Sequence, residues 1–177
     1  MNVAMSSYRF YRKVVEKRNM IMCRFCWILV AIFGLGLGVM AYKFILSGDA
    51  IKSEDGRLAV QLTSNERNLV LGEMRTFLDS VQKITQGVAK NDFSVASEAA
   101  RKVGRAAQQD MPGSLVGKLP LEFKKLGFDT HSKFTQLALD AEQMADTEHT
   151  MNQLSELLEN CVACHATFKF EIDENSK

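Results

Sequence analysis

The chain has 177 residues, with 22 basic against 21 acidic side chains and a formal net charge of +1. That length accommodates one ordinary domain and a targeting element but not two sizeable cores. Beyond the first two dozen residues the sequence gathers no basic stripe, which argues against nucleic-acid binding.

The charge is unevenly distributed. Residues 1–24 carry Arg9, Arg12, Lys13, Lys17, Arg18 and Arg24 against Glu16 alone, whereas the chain from Lys43 onward is mildly acidic. Between them, Phe25 to Tyr42 is free of charge and rich in Ile, Leu, Val, Phe and Gly. As a helix it would reach about 27 Å, close to the hydrocarbon thickness of a bilayer. The sequence therefore predicts a basic cytoplasmic leader at 1–24 and a transmembrane signal-anchor at 25–46, with the rest of the chain delivered across the membrane. Val39-Met40-Ala41 offers a cleavage site for the alternative, a removable signal peptide, against which the length of the leader counts. Gly34 and Gly38 have helix-dimer spacing but little weight in a glycine-rich span. Cys23 and Cys26 precede the apolar run and read as unmodified interfacial cysteines.

Residues 47–63 are polar and read as a tether. Thr63 and Glu66 have the form of a capping box, and Val70, Met74, Phe77, Leu78, Val81, Ile84 and Val88 mark one face of a helix ending near Lys90. Asn91-Asp92 stops it and caps a second helix, from Phe93 to about Gln109, with Val95, Ala99, Val103 and Ala106 on a small-residue face. The only two prolines bound a loop from Met111 to Pro120. A helical turn over Leu121–Leu126 is expected to end at Gly127, and Asp129 or Thr130 to open a third helix with Phe134, Leu137, Ala138, Ala141 and Met144 inward. Asp146 caps a fourth, directing Met151, Leu154, Leu157, Leu158, Cys161, Cys164, His165 and Phe168 to the core. No segment alternates as a strand, and 171–177 reads as a frayed tail. The expected fold is all-α, an antiparallel four-helix bundle over 64–170 preceded by one N-terminal transmembrane helix.

The motif that carries chemistry is Cys161-Val162-Ala163-Cys164-His165, the C-x-x-C-H pattern of covalent haem attachment. Two thiols three residues apart project from one side of a helical turn, where each can add to a porphyrin vinyl group, and His165 can offer its imidazole to the iron. A zinc site would need two further ligands, and the other C-x-x-C pair, Cys23 and Cys26, lies beyond the span. A thioredoxin-type dithiol wants its reactive cysteine at a helix N-terminus, whereas Cys161 follows a long helical run. The haem-attachment reading implies one covalent haem c and a bacterial inner-membrane protein with its haem domain in the periplasm.

A domain of about a hundred residues with four helices and this motif in the last resembles the class II c-type cytochromes, the cytochrome c prime family. Cys161 to Lys169 matches the family's habit of an aromatic and then a basic residue after the histidine, here Phe168 and Lys169. The resemblance implies that Arg67, and less firmly Lys169, lie near haem propionates. It also implies that the distal side is either capped by an apolar residue, Leu71, or ligated by a methionine, Met74, one turn on. His131 and His149 sit at the expected helix starts, where surface histidines are ordinary. Arg101, Lys102 and Arg105 read as a solvated face, with docking of an acidic redox partner as the lesser alternative. The function expected is electron transfer rather than enzymatic catalysis, to a redox protein the sequence does not name. The alternatives are an open iron that binds nitric oxide or carbon monoxide beneath Leu71, and a structural or assembly protein without haem. The resemblance also allows a homodimer through the first two helices.

Overall fold

The computed structural model describes residues 25–173, so the basic leader with Cys23 and the end of the tail lie outside the described residues. The described residues divide into two units, one ending at Tyr42 and one beginning at Lys43. α1 (Phe25–Ser47) begins in the first. Among the described residues it is the one helix long and apolar enough to cross a membrane, with its side chains exposed. Its last turns, Tyr42–Ser47, widen to π geometry.

The second unit is mostly helical. Its elements are β1 (Ala50–Lys52), β2 (Leu58–Leu62), α2 (Ser64–Ala89), α3 (Phe93–Lys102), a short 3-10 turn (Arg105–Asp110), α4 (Gly113–Lys118), α5 (Leu121–Met144), α6 (Thr147–Thr167) and β3 (Phe168–Ile172). The capping box at the start of α2 forms as expected. Glu66 N donates to Thr63 Oγ1 at 3.2 Å, and Thr63 N donates to Glu66 Oε2 at 2.9 Å. Lys118 adds an ion pair to the same Glu66 at 2.6 Å. Asp92 caps α3 and Asp146 caps α6, each by accepting a backbone N–H three residues on.

Two apolar clusters hold the unit together. The larger joins Ile84 and Val88 of α2, Ala96, Ala99 and Ala100 of α3, Phe134 and Leu137 of α5, and Leu154 and Leu157 of α6. The small side chains of α3 let it lie close between α2 and α5, which it contacts extensively. The second cluster joins Val60 and Leu62 of β2, Val70 of α2, Leu115 and Leu119 at α4, Phe123 of α5 and Phe168 of β3. Cys161 packs against the first cluster and Cys164 against the second. The C-x-x-C-H motif thus spans the place where the two meet.

The sequence expectations fail at several points, each for a local reason. The 47–63 tether is a β-hairpin: β1 pairs antiparallel with β2 around Asp55-Gly56, where Gly56 has φ +86°. β3 then pairs with β2 in parallel, Leu58 opposite Phe168 and Leu62 opposite Ile172. β2 is therefore the central strand, and Ala59, Val60 and Leu62 are fully buried. A short central strand covered on both faces lacks the polar alternation that would betray it. For the same reason the last helix stops at Thr167, and Phe168, Phe170 and the start of the expected tail, Glu171 and Ile172, are strand.

The second helix stops at Lys102 rather than Gln109, because the chain turns at Gly104 and Arg105 N donates to Thr135 Oγ1 of α5 at 2.9 Å. The proline-bounded loop contains α4, anchored by the fully buried Leu115. Gly127 does not end a helix. α5 runs through it, Thr130 Oγ1 donates to Leu126 O of the preceding turn, and Asp129 pairs outward with Lys133 instead of capping. Met144 is exposed rather than inward.

Candidate functional site

α6 begins at its Asp146 cap and continues for 21 residues, so Cys161, Cys164 and His165 fall in its last two turns. Spacings of three and four put these side chains on neighbouring positions of one face. That face borders a cavity of about 460 Å³. α2 contributes Leu71, Met74 and Leu78 to the lining, and α5 contributes Phe123, Leu126, Gly127 and Thr130. The walls are predominantly apolar. α3 packs tightly on α2 and α5, and α5 on α6, but α2 and α6 touch only sparsely, and the cavity lies in that parted seam. Leu78, expected in the core, is 70% exposed where it lines the cavity. At Gly127 the wall is bare backbone, with open space where a Cβ would project.

Both motif cysteines are free thiols, partly buried. Burial pushes the Cys161 thiol up, and burial with the neighbouring Cys161 pushes Cys164 up to about 11. These are protonated, apolar-facing thiols, the opposite of the low-pKa thiolate of a dithiol oxidoreductase. Nor does a group of three or more His, Cys, Asp or Glu side chains converge as a metal-binding cluster among the described residues. The imidazole of His165 is exposed and has no hydrogen-bond partner among the described residues, while its backbone carbonyl accepts from Arg57 Nη1 at 3.4 Å.

The structure thus brings Cys161, Cys164, His165, Met74 and Leu71 to one cavity. Arg67 and Lys169 do not line it. Lys169 is paired with Glu171 at 2.7 Å and lies 3.8 Å from Asp55. His149 sits in the first turn of α6, as expected, with Nε2 3.2 Å from Asp140 Oδ2. His131 is neither at a helix start nor on the surface. It is 5% exposed in the middle of α5 and reaches the cavity wall beside Phe77, their ring centroids 5.0 Å apart. Arg101 and Lys102 are solvated, engaged by Glu142 and Asp79.

Sequence reasoning missed several lining residues. Asn160, adjacent to Cys161, is buried and donates to Asp129 Oδ2 at 2.7 Å, while its own Oδ1 accepts from Lys133 at 3.1 Å. This bridge from buried Asn160 to the partly exposed Asp129–Lys133 pair ties α6 to α5 beside the first cysteine. An Asn next to the motif was the available signal. Glu73, Phe77 and His131 also border a second, more polar cavity between α2 and the end of α3 with the 3-10 turn that follows, and so form a partition between the two. No sequence signal pairs Glu73 with His131 across 58 positions. Searches of protein-family models, curated proteins and solved structures find no match to this chain.

The donor set fits a haem attached through thioethers. It comprises two free thiols on one helical face, an imidazole beside them without a hydrogen-bond partner among the described residues, and an apolar space lined across the seam by Leu71 and Met74.

Proposed function

We propose that this chain is a membrane-tethered c-type cytochrome whose α2, α3, α5 and α6 form the four-helix bundle of the class II type, and that it carries electrons on the periplasmic face of the membrane. The observation that supports this reading most is the meeting of Cys161, Cys164 and His165 with Met74 on a single apolar cavity of about 460 Å³. The two thiols would be the attachment points, each S–H adding across a vinyl group with no oxidant consumed. His165 would present its imidazole to the metal, and Met74 its thioether from α2. Haem bound there would supply a one-electron ferric–ferrous couple. The apolar walls from Leu71, Phe123, Leu126 and Leu158 would hold water away, which together with a methionine ligand favours a raised reduction potential.

A second reading rests on Leu71, which lines the same cavity one turn before Met74. With Leu71 rather than Met74 over the metal, the site would be open to nitric oxide or carbon monoxide. The visible spectrum of the purified protein, made with a haem-attachment system, tests both readings. A low-spin spectrum that carbon monoxide perturbs slowly supports the carrier, and a high-spin spectrum with rapid carbon monoxide uptake supports gas binding. A colourless protein refutes both in favour of a structural role.

A further inference from the structure

The hairpin that precedes α2 reaches the end of α6. The Arg57 guanidinium is gripped by Asp55, with Nε and Nη2 donating to Oδ2 at 2.9 and 2.7 Å, and its remaining Nη1 points at the His165 carbonyl oxygen at 3.4 Å. That carbonyl is one of the acceptors a helix C-terminus leaves without an intrahelical donor, and a cation there also opposes the negative end of the helix dipole. Three residues on, the chain enters β3, where Phe168 lies opposite Leu58, the residue after Arg57. The Phe168 amide itself donates to Cys164 O, and its ring meets Phe123 of the cavity wall edge-on at 5.4 Å.

We infer that the β1–β2 hairpin is a brace for the haem-binding turn and that Arg57, held by Asp55, is a positioning residue for His165. The inference rests on the proposed function for its consequence at iron. The helix end that carries a metal ligand would otherwise fray. Here one of its last-turn carbonyls accepts from a side chain already held through two donors to Asp55 Oδ2, and the residues that follow the helix are paired with a parallel strand. Restricting the backbone at His165 restricts the tilt and the reach of its imidazole. It thereby sets the ligand field without any contact between Arg57 and the metal.

The test uses the full-length, haem-loaded protein and the Arg57→Gln and Asp55→Asn variants, with Arg57→Lys as a milder change should Gln impair folding. Hydrogen exchange is followed over residues 161–170, beside the visible and electron paramagnetic resonance spectra. We expect exchange at the Cys164–Phe168 turn to quicken by about three- to tenfold, with haem content and melting temperature nearly unchanged and the spin-state signature shifted. Arg57→Lys should fall between. Faster exchange with an unshifted spectrum would reduce Arg57 to a structural tie and overturn its positioning role, and unchanged exchange would overturn the brace itself. A wild-type protein lacking covalent haem would be recognised before any variant is compared. That result would count against the proposed function and the iron-side consequence, leaving exchange to decide the brace.

Discussion

His131 Nε2 lies 3.3 Å from Glu73 Oε1, and its Nδ1 lies 2.8 Å from the carbonyl oxygen of Val103, so both ring nitrogens of a buried imidazole face acceptors. Only the doubly protonated ring donates to both. The arrangement ties α5 to α2 and to the end of α3, and it forms part of the wall between two cavities.

Burial opposes the His131 charge, but the Glu73 carboxylate and the carbonyls of Val103 and Gly104 outweigh it and raise the His131 pKa above its usual 6.5. A folded-state pKa above the unfolded one contributes stability that is fully present below the unfolded value and is lost as pH rises through the folded value. The urea midpoint should therefore fall as pH is raised from about 6 to about 9. His131→Gln should lower stability at the acid end and flatten that dependence. Parallel pH profiles for the two proteins would contradict the assignment.

Gly48 joins α1 to the sheet with φ +63°, and a Cβ there would stand 2.5 Å from Lys118 O and 2.6 Å from Pro120 N. These are backbone atoms that cannot swing aside. Gly48→Ala should destabilise the folded unit by about 1–3 kcal/mol or more, read as a lower melting temperature. A variant as stable as wild type would show that this junction is looser than described.

The parts legible in the sequence are those whose signal is local. The capping box at Thr63 and Glu66, the Asp92 and Asp146 caps, and the inward faces of Ile84, Phe134 and Leu154 form as read, because caps and helical periodicity are set within a turn or two. The motif itself was legible for the same reason. What stayed hidden depends on distant partners. β2 looks like tether because its hairpin partner β1 is only three residues long and its other pairing strand lies more than a hundred residues away at Phe168–Ile172. Gly127 looks like a helix stop, yet the packing of α5 on α3 and α6 carries the helix through it. His131 reads as a surface residue until Glu73 and Val103 close over it.

Met74 and Leu71 occupy the same wall, and one substitution separates their roles. Met74→Leu keeps volume and apolarity, so it should cost less than about 1.5 kcal/mol of packing. It should nevertheless convert a low-spin protein to high spin, lower the reduction potential and open rapid carbon monoxide binding. An unchanged spectrum would assign the position over the metal to Leu71.

The orientation expected from the basic leader and the apolar α1 is testable with reporters fused after Lys177. A reporter active only outside the cytoplasm should work there, and one active only inside should be silent. Retention in carbonate-washed membranes would support an uncleaved anchor, and complete release would favour a removed signal peptide.

Covalent attachment at Cys161 and Cys164 is the central claim, and the mass of the denatured protein tests it most directly. Expressed with a haem-attachment system, the full chain should gain the mass of one haem that survives unfolding, while Cys161→Ala with Cys164→Ala should lose it. A wild-type protein of bare polypeptide mass, or a double variant that keeps covalent haem, would contradict the account.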